Sequence, residues 1–148
     1  MVNTEFQEIY DLFLNEITTY EFFNKNGDFD ENMMNETLSM LLKKAKIKCR
    51  KINHISLDTD LKVFNRELTD IEKDLLSTAM VYCWCLPKVN DIEKLEGHLN
   101  SRDYQQYSEA NHLDKLLNLK NSNKKDLDYM LVEYSTSKVK ELIKNNEL

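Results

Sequence analysis

The sequence predicts a mainly α-helical fold: one compact, multi-helix domain around a central apolar helix. Three observations lead there. The chain has only two glycines and one proline in 148 residues, too few for the tight turns of sheet proteins or the glycine loops of nucleotide folds. Apolar residues recur at spacings of three and four along most of its length, the period of a helix with one buried side. The most apolar stretch opens on Thr69-Asp70-Ile71-Glu72, a capping box in which hydroxyl and carboxylate satisfy each other's amide. A chain of this length supports a single domain over residues 1–148, burying roughly two thirds of its extended surface.

Phe6, Ile9, Tyr10, Phe13 and Ile17 share one side of a first helix over about residues 4–20, with acids elsewhere. The span EFFNKNGDFDEN reads as a connection, after which Asp30 can cap a second helix carrying Met33, Met34, Leu38, Leu41, Leu42 and Ala45 on its buried stripe. Lysines gather at its end, where they suit the negative pole of the helix dipole. In residues 52–64 the alternation of Ile55 with Leu57 and of Leu61 with Val63 fits two short extended pieces or a packed loop.

From Thr69 the central helix runs through Leu75, Leu76, Ala79, Met80 and Cys83, and it is expected to end at Leu86 because Pro87 lacks an amide hydrogen and restrains the residue before it. Its middle is apolar nearly all round, as suits the core of the monomer or a helix shared with a neighbour. Asn90-Asp91-Ile92-Glu93 forms a second capping-box pattern, opening a short helix that Gly97 can close. Ser101 starts a further helix with Tyr104, Tyr107, Ala110, Leu113, Leu116 and Leu117 on its buried side. The polar tract NLKNSNKK separates it from a last periodic stretch carrying Leu127, Met130, Leu131 and Tyr134. Ser135-Thr136-Ser137 is expected to interrupt that stretch, leaving a tail after about residue 135 that frays or takes its order from a partner.

The net charge of -6 is unevenly spread. Residues 1–42 hold nine acids and one lysine, whereas residues 43–51, KKAKIKCRK, hold six bases and no acid. Lys43, Lys44, Lys46, Lys48, Arg50 and Lys51 therefore form the strongest local charge, which fits a solvated helix end, a contact with an acidic protein surface, or a phosphate. Trp84, Tyr104 and Tyr107 are candidates for the core or for anchoring a partner. The absence of a run of eighteen apolar residues argues against a membrane span. MVNTEFQEIY lacks the basic start and apolar core of a signal peptide, so synthesis inside the producing cell is expected.

Chemistry has little sequence support. Cys49, Cys83 and Cys85 are odd in number and badly spaced for zinc, and we read them as buried thiols. Glu109 and His112 lie three apart as in half a di-iron bundle site, but no second such pair occurs. HExxH, CxxC, GxGxxG and the phosphate loop are absent. Ser77, Ser108 and the histidines do not assemble into a nucleophile and base by local spacing, and a remote pairing, geometrically possible, has no support in the sequence. We expect no enzyme activity, no metal and no cofactor.

Two stretches carry a resemblance. Residues 64–87, FNRELTDIEKDLLSTAMVYCWCLP, place Leu68, Thr69, Glu72, Leu75, Met80, Trp84 and Pro87 in order; residues 101–116, SRDYQQYSEANHLDKL, place Asp103, Tyr107, Ser108, Asn111, His112 and Leu113. With the N-terminal pair of helices they make residues 4 to about 134 resemble the small helical head-tail connector or adaptor proteins in the neck of tailed phages of Gram-positive bacteria. The resemblance implies a non-enzymatic virion protein in a homo-oligomeric ring below the portal. Such a ring joins capsid to tail, contacts the portal protein and a further neck or tail-completion protein, and passes DNA without sequence-specific binding. A small helical regulatory or adaptor protein of a mobile element, binding a host protein, is the competing expectation.

Overall fold

The computed structural model describes residues 2–17, 31–52, 54–98 and 109–145, and the side chains of all of these except 88–98 and 109–116. Four helices and one two-stranded sheet make up this part: α1 (Phe6–Glu16), α2 (Glu31–Lys48), β1 (Leu57–Asp58), β2 (Val63–Phe64), α3 (Asp70–His98) and α4 (Glu109–Lys144). The mainly helical fold predicted from the sequence is the fold observed. Among the described residues, no helix is long and apolar enough to cross a membrane.

The central position falls to α3, which packs against α1, α2 and α4. Its Leu75, Leu76, Ala79, Met80, Val81, Cys83, Trp84 and Cys85 are all buried, which explains why that stretch is apolar on most sides. Phe6, Ile9, Tyr10 and Phe13 of α1, and Leu38, Leu41, Leu42 and Ala45 of α2, meet it in the same core. From α4 come Leu127 and Tyr134, seven residues apart on one stripe.

The extended pieces expected in residues 52–64 form an antiparallel hairpin, pairing Leu57 with Phe64 and Asp58 with Val63. Asp58 Oδ1 accepts from the amides of Asp60 and Leu61 at 3.1 and 3.0 Å, an aspartate-built turn. The turn closes with Lys62 in the left-handed region at φ 57°. The chain start lies along this hairpin: Phe64 N–H donates to the Thr4 carbonyl and Phe6 N–H to the Lys62 carbonyl, both at 2.9 Å. Thr4 Oγ1, buried, accepts from Leu68 N–H at 2.8 Å. The start of α1 is thereby tied to the segment that leads into α3.

Several expected boundaries are corrected. The first helix spans 6–16 rather than 4–20, since residues 4–6 are engaged in strand-like bonds to β2. The central helix does not stop at Leu86 but continues through Pro87 to His98. Pro87 is exposed, on the side where water can take up the carbonyl that its missing amide leaves unpaired. Asn90 and Glu93 therefore lie inside α3 and not at a helix start, in a stretch where interior helix amides already have carbonyl partners. Gly97 falls in the last turn of the same helix. The two expected C-terminal helices are one 36-residue helix, α4. Its polar residues do not break it, because Leu127 and Tyr134 pack it into the core; their side chains bond the backbone one turn back, Asn123 Nδ2 to the Leu119 carbonyl at 2.8 Å, and the Ser135 and Thr136 hydroxyls to those of Leu131 and Val132 at 2.9 Å each. Helix thus extends nine residues past 135, with the side chains of 137–144 exposed. Asp30 and the start at Ser101 lie outside the described residues, as do Tyr104 and Tyr107.

Candidate functional site

The most concentrated polar chemistry in the described residues surrounds Glu72. The capping box forms as expected: Thr69 N–H donates to Glu72 Oε1 at 3.0 Å, and Glu72 N–H donates to Thr69 Oγ1 at 3.3 Å. The Thr69 hydroxyl in turn donates to Oε1 at 3.1 Å. Beyond the box, Arg66 grips both carboxylate oxygens, Nη1 to Oε1 at 3.0 Å and Nη2 to Oε2 at 2.6 Å. Tyr134 Oη donates to Oε2 at 3.1 Å from the far end of α4. Glu72 itself is 1% exposed.

Burial by itself would raise the Glu72 pKa; the Arg66 fork, the Thr69 amide and the Arg66 charge outweigh it and hold the carboxyl down at about 2. Five donor contacts occupy its lone pairs. A carboxylate so fully engaged is fixed as an ion and has no capacity left to accept a substrate proton, so the cluster is a structural joint. It locks the entry segment, the first turn of α3 and the second half of α4 to one another. Arg66 was not among the residues singled out by spacing, and Tyr134 was read only as a member of the last periodic stretch, since neither stands at a capping-box offset from Thr69.

The thiols are buried, as expected. Cys49, Cys83 and Cys85 form no disulfide; burial, with the nearby Cys83 adding to it, pushes the Cys49 thiol up to about 12. Cys49 Sγ donates to the Leu75 carbonyl at 3.6 Å, which ties the end of α2 to α3. Among the described residues no group of three or more histidines, cysteines and carboxylates is placed to hold a metal ion. His54 is exposed, and the side chains of Glu109 and His112 lie outside the description.

The predicted interface residues divide. Trp84 is buried in the core and is not a surface anchor. Lys46 is half-buried, and Lys48 sets its ammonium 5.9 Å from the centre of the Tyr82 ring, a cation–π contact within the molecule. Lys43, Lys44, Arg50 and Lys51 are exposed. Two of them border a shallow groove of about 560 Å³ on the outer face of α2, lined by Asn35, Glu36, Ser39, Met40, Lys43, Lys44 and Ile47. A second groove, of about 520 Å³, lies between α1 and the start of α3, lined by Leu12 and Ile71 together with Glu8, Asp70, Lys73 and Asp74. Leu12, Met40, Ile47 and Ile71 were missed as surface features. Their signal was present, because all four fall off the stripes that the helical period assigns to the core. Comparison of the chain with family models, curated proteins and solved structures gave no match to any of them.

Proposed function

We propose that the protein is a non-catalytic assembly subunit, a ring-forming connector at the head-tail junction of a tailed phage. The observation that carries this reading is the resemblance of residues 64–87 to neck proteins, taken with what those residues do in the fold. Leu68, Leu75, Met80 and Trp84 build the core, and Thr69 with Glu72 starts the central helix. The resembling positions are thus those that build the core and start the central helix, which a ring subunit would need to hold its shape. A subunit with one apolar patch on α2 and another across α1 and α3 suits repetition around an axis, where one surface of each copy meets a different surface of the next. The excess of acid over base also suits a channel that DNA must traverse without sticking.

Cryo-electron microscopy of intact particles, together with deletion of the gene, tests the proposal. The expected result is a closed ring between portal and tail, and filled heads that fail to join tails when the gene is removed. Absence from the neck with normal joining would overturn it, and recovery of the chain in a small complex with a host protein would favour the regulatory alternative.

A further inference from the structure

The two surface grooves differ in the sign of the charge that rims them. Around Met40 and Ile47, which are 49% and 62% exposed, stand Lys43 and Lys44, with Arg50 and Lys51 following in the turn beyond α2; Glu36 is the one acid in the lining. Around Leu12 and Ile71, 40% and 55% exposed, stand Glu8, Asp70 and Asp74, and the single base there, Lys73, is already bonded to Glu8 at 2.8 Å. Each patch is thus a pair of large apolar side chains with a rim of one dominant sign, and the signs are opposite.

That pattern restricts how copies of the chain can meet. Two α2 grooves placed face to face would set Lys43 and Lys44 against their own equivalents, and two α1–α3 grooves would oppose Asp70 and Asp74 in the same way; like charges across an interface suppress such pairings. One groove of each kind brings apolar to apolar and base to acid. We propose that these grooves are the two halves of one repeated contact, in which Met40 and Ile47 of one copy pack on Leu12 and Ile71 of the next while Lys43 and Lys44 face Asp70 and Asp74. The contact is heterologous, so it generates a closed ring when the rotation per copy closes and an open filament when it does not. This inference rests on the ring reading above and supplies the surface through which the ring is built.

Cysteine cross-linking between full-length chains tests it. Leu12→Cys and Met40→Cys alter exposed side chains, and the three native thiols are buried and do not compete. Under mild oxidation, mixing the two single variants is expected to yield a disulfide-linked dimer of one with the other, each variant alone is expected to form no cross-link, and the double variant is expected to give a ladder. A Met40→Cys homodimer, or mixed cross-linking no stronger than that of a Met40→Cys and Val132→Cys control, overturns the proposal. On the cross-linking background, Lys44→Glu in one copy or Asp74→Lys in the other is expected to reduce the mixed product by about two- to fivefold, the range for an exposed ion pair. The two reversals together are expected to restore it, and failure to restore it also counts against the contact. Salt-sensitive retention of the unmodified protein on duplex DNA through Lys43 and Lys44 would assign the α2 groove to a polyanion instead. A ladder from a protein absent from particle necks keeps the contact and removes the neck reading; a neck protein that gives no ladder does the reverse.

Discussion

The phenol of Tyr134 donates to the carboxylate of Glu72 at 3.1 Å across 62 residues of sequence, which makes the far half of α4 a partner in the cap of α3. Lys138 stands over the Tyr134 ring, 5.5 Å from its centre, and the phenol is buried. Removing the hydroxyl with Tyr134→Phe takes one charge-assisted bond from Glu72 and leaves Arg66 in place, so a loss of about 1–2 kcal/mol is expected. Glu72→Ala removes the cap and both arms of the Arg66 fork, leaving Arg66 its bond to the Glu67 carbonyl, and a loss of about 3 kcal/mol is expected. Denaturant melts of both variants check the order, and equal losses would mean that Tyr134 carries the joint by itself.

Acid should weaken the same joint. The Glu72 carboxyl is held at about 2 in the folded chain against an ordinary value of 4.5. A group whose folded pKa is depressed contributes stability above its unfolded pKa and loses it as the pH falls toward the folded one. The contribution, up to about 3 kcal/mol, is therefore expected to be whole at pH 6 and to fade between pH 4.5 and 2. Melting the natural chain and Glu72→Gln across that window should show their difference shrinking. At the other extreme, burial comes first among the causes that push the Tyr134 phenol up to about 12, with the Glu72 charge and hydrogen bond adding to it. Its share of stability is present below pH 10 and is lost as the pH rises toward 12.

Two capping boxes of similar sequence should respond in opposite ways. Thr69 occupies a real helix start, with its side chain accepting the Glu72 amide, and Thr69→Ala is expected to cost about 1 kcal/mol while Thr69→Ser costs less. Asn90 is an interior residue of α3, where alanine is the better helix former, so Asn90→Ala is expected to leave stability unchanged or raise it by about 0.5 kcal/mol. Thermal melts of the three variants decide it, and a matching loss for Asn90→Ala would place a helix start at residue 90.

What was legible in the sequence follows from the range over which each feature acts. Thr69 and Glu72 are three residues apart, so their reciprocal bonds are written in the local pattern; the buried stripes of α1 and α2 are likewise fixed by a period of three to four residues. Arg66 and Tyr134 reach Glu72 from outside that pattern, and only tertiary packing brings them there. Polar runs misled for a different reason. Asn123, Ser135 and Thr136 are weak helix formers by propensity, yet each bonds a carbonyl of its own helix, while the packing of Leu127 and Tyr134 supplies what propensity lacks. The surface grooves join residues from separate helices, so composition disclosed the charge asymmetry but not which apolar side chains it surrounds.

Pro87 offers the sharpest test of the helix geometry. Within α3 it removes one hydrogen bond to the carbonyl of Cys83 and sets its ring against the preceding turn, a penalty of about 3 kcal/mol relative to alanine in a helix interior. Alanine would also free the unfolded chain, returning up to about 1 kcal/mol of entropy to that state. Pro87 is exposed, so the exchange vacates no core volume and the two effects nearly exhaust the balance. Pro87→Ala is therefore expected to stabilise the protein by about 2 kcal/mol, with a higher midpoint, an unchanged denaturant slope and no loss of helical ellipticity. If the helix instead ended at Leu86, the proline would sit where helices commonly stop, its removal would bring no gain, and a midpoint that stays or falls would reject the continuous helix from Asp70 to His98.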